Sequence, residues 1–464
     1  MHRVAMLIFS ESRTRQDVYE VRKPLQDKET DRFIKALEGD IEFFIPSCKE
    51  IRGKADSRLA AQECLGADVS AVILYIPIFI NPALVAHTAR QIHKPVILMG
   101  NRTIGTVSTT AVLAASGSMN QIGLRYRKIP GDISEESTRV ELLRFLRAVD
   151  VSQGLEGSTF GCIGGRSLGI SSGAADPAQW ERLFGVDIEH VDQYEIVVRA
   201  AEASQDKVDL YKKWVHESYG AVCYKEGRFD EAILERMIRS YLAVKAIIEH
   251  YEMDFLGIKC QPEMSNRFVL QCLAVQLLND PYDAEGPKEP VACACETDHD
   301  GALTMQVLKL ISGGLPTTLQ DVFHITDKEF VAANCGSTAS YFAALSDDPK
   351  ENLHAVHLQP HGFGEAGGAS TQFVAAADEF TYARLYRDDV GYTMGILKGR
   401  TVDKPRKALE KFSWYRPTSF VEIDIDSDQF MREFGSNHVH AVRGDRVEDL
   451  AEFCEVQDIA CRVF

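Results

Sequence analysis

Three acidic residues follow one another closely in the segment Cys295-Glu296-Thr297-Asp298-His299-Asp300-Gly301, and a further carboxylate, Asp321, comes shortly after. Two carboxylates joined by one imidazole form an oxygen-rich, sulfur-poor donor set. That set suits a hard or borderline divalent cation such as Mn²⁺ or Mg²⁺. The same carboxylates could also exchange protons with a bound substrate. Glu296 and Asp321 are the leading candidates. The imidazole could come from His299, His324, His361, His438 or His440. His438 stands out because it follows Asn437 in a turn after Phe434 and precedes a strand-like run. Asp298 and Asp300 read more simply as caps of the helix that begins beside them.

The elements around these residues are short. Residues 290–295 are small or β-branched and read as a buried strand delivering Glu296 at its carboxyl end. Residues 302–310 carry apolar side chains at helical spacing, and Gly313-Gly314 ends that helix. Residues 316–321 then form a second strand, expected to end at Asp321. Strand, helix and strand in this order would present both acids at one sheet edge, where open α/β sheets bind ligands.

Earlier in the chain, residues 3–10, 41–46, 71–80 and 95–100 are strand candidates separated by helical segments, the pattern of a doubly wound parallel sheet. The turn after the first strand carries Arg13 and Arg15, at a position where such sheets contact ligands. No G-x-G-x-x-G follows it, so a dinucleotide is not supported. A second α/β region opens with the strand 159–163 and the turn Gly164-Gly165-Arg166-Ser167-Leu168-Gly169. The glycines there are best explained by backbone with φ > 0. Residues 255–262 read as a strand ending in Lys259 and Gln261. After Asp321 the texture changes to short strands rich in Gly, His and Asp, including 354–357, 373–377, 381–386 and 391–398.

The 464 residues exceed one ordinary core, and 45% apolar with 26% charged residues is a soluble globular composition. No apolar run is long enough to span a membrane. A net charge of −17 with no basic block argues against a nucleic-acid or anionic-membrane partner. The apolar opening is interrupted at once by Glu11, so it reads as a strand and not a leader. Eleven scattered cysteines fit a reducing cytoplasm, and their spacing completes no zinc-site pattern.

Several segments together resemble the L-fucose isomerase family of aldose–ketose isomerases. They are Gly164 to Gly169, Gly257-Ile258-Lys259-Cys260-Gln261, Glu296 with Asp298, Asp300-Gly301-Ala302, Gln320-Asp321-Val322, Asn334-Cys335-Gly336-Ser337 and Ser436-Asn437-His438. The resemblance implies two Rossmann-like α/β domains, 1–156 and 157–314, and a β-rich, barrel-like domain, 315–464. It implies a homo-oligomer, commonly a hexamer, with one Mn²⁺ (Mg²⁺ or Co²⁺ as substitutes) held by Glu296, Asp321 and His438. It also implies a sugar contact at Asn437, another in the Arg13/Arg15 turn, and a monosaccharide substrate isomerised through a cis-enediol. Lys259 stands where longer members carry a neutral amide, with Gln261 beside it. A lysine buried against a ligand calls for an anionic group. An anionic sugar such as sulfoquinovose, converted to sulfofructose, is therefore weighed equally with a neutral sugar such as L-fucose or D-arabinose. A simple ion pair between Lys259 and Glu296 is the plainer reading of that lysine. A non-catalytic sugar-binding protein on the same scaffold is the alternative of another class.

Overall fold

The computed structural model describes residues 1–11 and 16–464, so Arg13 and Arg15 lie outside the described residues. The chain divides into two compact units, Met1–Gln153 and Gly154–Phe464.

The first unit is built on a five-stranded sheet whose order is Ile41–Phe44, His2–Ile8, Ala71–Tyr75, Val96–Met99, Arg127–Lys128, with every pairing parallel. Its central strands are continuous apolar runs, Ala-Val-Ile-Leu-Tyr and Val-Ile-Leu-Met, buried throughout. Such runs belong to sheets covered on both faces.

The second unit combines a parallel sheet with a β-barrel. The sheet runs Cys293–Cys295, Phe255–Ile258, Thr159–Ile163, Asp187–Val191. Gly257, in the second of these strands, has no room for a Cβ, which would sit 2.8 Å from the Thr297 backbone. That close approach lets the chain turn immediately after Cys295. The barrel contains six strands, and each pairs antiparallel with the next. Their order is Glu379–Arg387, His438–Arg443, Thr318–Ile325, Glu329–Ala333, Thr418–Glu422 and Tyr392–Thr401, which closes back on Glu379–Arg387. Closure leaves no open edge among these six. The last strand, Ala460–Val463, adds in parallel to Tyr392–Thr401.

Helix His299–Ile311 joins sheet to barrel, and all its residues except Leu310 are buried. A helix buried on every side must satisfy its polar side chains internally. Its polar residues are used as ties: Thr304 Oγ1 accepts the Leu385 N–H at 2.9 Å, and Asp300 Oδ1 accepts the Tyr392 hydroxyl at 2.9 Å.

The two strands flanking this helix do not share a sheet. Cys293–Cys295 is parallel to its neighbour, whereas Thr318–Ile325 is an antiparallel barrel strand with Asp321 in its middle, not at its end. The expectation of one strand–helix–strand unit is corrected accordingly. Val322 to Ile325 keep strand-forming side chains, and these residues continue the ladder to Glu329–Ala333 past a register irregularity at Val322/His324. Residues 349–354 are helical and the strand begins at His357, later than the expected 354–357. Residues 373–377 belong to no named strand. The first expected domain boundary falls near the division after Gln153. The second, at 314/315, lies inside the second unit, where parallel sheet gives way to barrel. Among the described residues, no helix is long and apolar enough to cross a membrane.

Candidate active site

Glu296 and Thr297 both occupy left-handed backbone, with φ of 62° and 53°. Non-glycine residues adopt this region at a cost of about 1–3 kcal/mol each, and such strain persists only where surroundings enforce it. Here the enforcement is visible. Gly257 presses from one side, Thr297 Oγ1 donates to the Ile163 carbonyl at 3.2 Å, and Asp298 caps the following helix by accepting the Gly301 N–H at 3.0 Å. The double left-handed turn directs the chain out of the sheet with Glu296 at its apex.

Asp321 and His438 meet for a different reason. They are directly opposed in the ladder between Thr318–Ile325 and His438–Arg443. His438 Nε2 lies 3.5 Å from Asp321 Oδ1 and 3.6 Å from Glu296 Oε2. The barrel register and the strained turn thus bring both candidate acids to one nitrogen of one imidazole. The other nitrogen is occupied, since His438 Nδ1 donates to Asp298 Oδ2 at 2.7 Å.

Asp298 is buried to within 1% and is paired with Arg384, which is wholly buried. One guanidinium nitrogen reaches Asp298 Oδ2, and the other donates to Oδ1 at 3.0 Å. Burial favours the neutral acid, but the Arg384 charge and the His438 hydrogen bond hold the Asp298 carboxyl far below its usual range. Burial also works against the charged imidazole of His438; the Asp298 hydrogen bond and charge outweigh it and raise the pKa. His440, in the same strand, accepts from Arg384 on Nε2 at 3.1 Å and donates from Nδ1 to the Thr318 carbonyl. Burial, with Arg384 adding to it, keeps this ring neutral.

The two converging acids are less well compensated. Burial pushes the Glu296 carboxyl up to about 7, and negative charge at Cys335 and Asp321 adds to the rise while His438 opposes it. Asp321 is likewise raised by burial, although Asn437 Nδ2 donates to its Oδ1 at 3.2 Å. Two carboxylates facing one imidazole, in a partly dry pocket, form a donor set short of positive charge. The second imidazole nitrogen held by a carboxylate is the arrangement that orients a ligating histidine. Carboxylate oxygens and an imidazole nitrogen are the donor types that a divalent cation takes.

The other sequence candidates are placed as follows. Lys259 Nζ pairs with Glu263 Oε1 at 2.9 Å, so the expected ion pair with Glu296 is corrected: the helix that starts at Glu263 supplies the nearer acid. Gln261 is half-buried and its carbonyl accepts from Ser167 at 3.0 Å. Asn437 is exposed beside Asp321. His299 is buried, with Nδ1 shared between the Gly173 and Thr297 carbonyls.

Residues 332–463 match the family model for the L-fucose isomerase C-terminal domain. A sulfoquinovose isomerase from Priestia aryabhattai is 21% identical over 441 residues, 91% of this chain and 90% of that enzyme. Another, from Alkalicoccus urumqiensis, is 23% identical over 312 residues, 66% of this chain and only 64% of its own length. An L-fucose isomerase from Klebsiella pneumoniae is 27% identical over 209 residues, 40% of this chain and 34% of that enzyme. The chain is similar to sulfoquinovose isomerases and L-fucose isomerases.

Two residues beyond the sequence candidates matter. Arg384 was detectable as a lone charge inside the strand Phe-Thr-Tyr-Ala-Arg-Leu-Tyr, where only a buried acid could accommodate it. Arg416 lies over the ring of Phe323 at 4.9 Å and exerts a lowering pull on the Asp321 carboxyl. Nothing in its sequence context marks it. Replacing Arg384 by Met leaves Asp298 buried without its main cation. The expected cost is about 3–5 kcal/mol, read from urea unfolding. A loss below ~1 kcal/mol would show that His438 alone compensates Asp298.

Proposed function

We propose that this chain is a divalent-metal-dependent aldose–ketose isomerase acting on an opened monosaccharide. The observation that carries the reading is the approach of Glu296 and Asp321 to the same nitrogen of His438, with the other nitrogen fixed by Asp298. Glu296, Asp321 and His438 Nε2 would hold the cation, with Mn²⁺ the expected ion. When bound, the cation supplies Lewis acidity at the sugar carbonyl and its neighbouring hydroxyl, which acidifies the C2 proton.

The remaining work belongs to the protein's own side chains. Interconversion moves one proton between C2 and C1 and another between the two oxygens, through a cis-enediol. Carboxylates whose proton affinity is raised by burial can both accept and return such protons, and Glu296 and Asp321 would serve as that pair. Asp298 keeps His438 in one tautomer and one orientation. Asn437 donates to Asp321 and, exposed beside it, would contact a sugar hydroxyl. The redox change is internal to the sugar, so no nicotinamide or flavin is required.

For the substrate we infer an anionic sugar of the sulfoquinovose type. The support is the extent of the likeness to sulfoquinovose isomerases and the cation of Arg416 near Asp321. A neutral sugar is favoured instead by Lys259, whose charge is already met by Glu263. Eleven free thiols suit a reducing cytoplasm, and homo-oligomer assembly is proposed from the family likeness.

Two outcomes test the reading. With Mn²⁺ present, proton NMR in D₂O over a panel of neutral, 6-sulfonated and 6-phosphorylated aldoses should reveal ketose formation with deuterium entry at C1 of the ketose and, on reversal, at C2 of the aldose. Glu296→Gln should reduce turnover roughly 10²–10⁴-fold; full activity in that variant would refute its role. The Glu296 carboxyl holds its proton until about pH 7 in the metal-free chain, and ligation requires the anion. Below that pH a proton must leave as the metal enters. Because the imidazole of His438, whose pKa is also raised, must be neutral to ligate, Mn²⁺ affinity should fall at least tenfold per pH unit below neutrality. Calorimetric titration at several pH values measures this, and a flat profile between pH 5 and 8 contradicts it.

A further inference from the structure

Beside the candidate active site the fold gathers a second donor set of opposite chemical character. Cys335 is displayed by a tight turn in which Asn334 Oδ1 accepts from the Gly336 N–H at 2.8 Å, the Ser337 N–H at 2.6 Å and the Ser337 hydroxyl at 2.7 Å. Its Sγ lies 3.3 Å from Cys295 Sγ, at the end of the short sheet strand. Cys272, the first residue of helix Cys272–Asn279, and His361 complete the group: ligand atoms of Cys272, Cys335 and His361 all fall within 4.8 Å of one another. The four side chains come from four separate segments of the second unit, and all are buried.

We propose that Cys272, Cys295 and Cys335, with His361, form a second cation site, one selective for thiophilic d¹⁰ ions of the zinc and cadmium class. A tetrahedral zinc with sulfur ligands at ~2.3 Å sets sulfur pairs roughly 3.8 Å apart, against 3.3 Å for Cys295 and Cys335 and an upper bound of 4.8 Å among the donors of Cys272, Cys335 and His361. Thiolate and imidazole donors favour these ions, whereas the carboxylate-rich site next to them favours Mn²⁺. Binding sends the thiol protons to solvent. His361 now donates from Nε2 to the Cys335 carbonyl and accepts the Phe363 N–H on Nδ1 at 2.9 Å, so joining the set exchanges one of these two backbone bonds for the ion. Because Cys295 directly precedes Glu296, occupancy would stiffen the strained turn.

The test is a Cd²⁺ titration of the full chain in saturating Mn²⁺, followed by the ultraviolet thiolate-to-cadmium charge-transfer band. The expected result is one tight Cd²⁺ per chain, abolished in Cys335→Ala and in Cys272→Ala but retained in Glu296→Gln. A tight phase that survives in both cysteine variants overturns the proposal. Cadmium-113 NMR of the unaltered chain gives a reading independent of whether those variants fold. A resonance in the multiple-sulfur region supports the site, and resonances confined to the oxygen and nitrogen region overturn it.

Discussion

A buried carboxylate, Asp298, governs this structure. It caps the helix that joins sheet to barrel, neutralises a wholly buried arginine and holds the imidazole to which two further acids converge. Each of these roles demands the ionised form, and each helps to keep it ionised. An isolated charge at this depth would be strongly unfavourable; the bidentate guanidinium and the imidazole make it tolerable. The arrangement also ties together elements distant in the chain, because Asp298 follows the parallel sheet while Arg384 and His438 lie on adjacent barrel strands.

The site is assembled at that junction by two unrelated devices. Register alone sets Asp321 against His438, and a slip by one residue would turn either side chain to the other face of the barrel wall. Glu296 reaches the same point through a pair of left-handed residues that glycine, threonine and aspartate neighbours hold in place. Strain on one side and pairing on the other leave two partly buried acids with raised proton affinity. That is the electrostatic condition a divalent cation relieves.

Much of this was legible in the residues. The parallel strands of the first unit announced themselves as unbroken apolar runs, and the acids at 296 and 321 were conspicuous beside a helix with no polar face. The glycine-rich turn after Thr159–Ile163 carries φ of 93° and 75° at Gly164 and Gly165, as expected of backbone that only glycine adopts readily. What local pattern could not supply was pairing partners. Asp321 looked like a strand end because antiparallel continuation depends on a strand contributed later in the chain. Asp298 looked like a simple cap because its second role requires Arg384 and His438, brought in by barrel closure. The thiol cluster was invisible for the same reason: Cys272, Cys295, Cys335 and His361 follow no ligand spacing and meet only through the fold.

The proposed reaction requires one divalent cation held jointly by Glu296, Asp321 and His438. Anomalous diffraction from crystals soaked with Mn²⁺ addresses it without reference to any substrate. The account predicts a manganese peak in contact with all three side chains, with His438 Nδ1 still bonded to Asp298. A manganese peak that touches none or only one of the three, with Glu296 and Asp321 directed elsewhere, would contradict it.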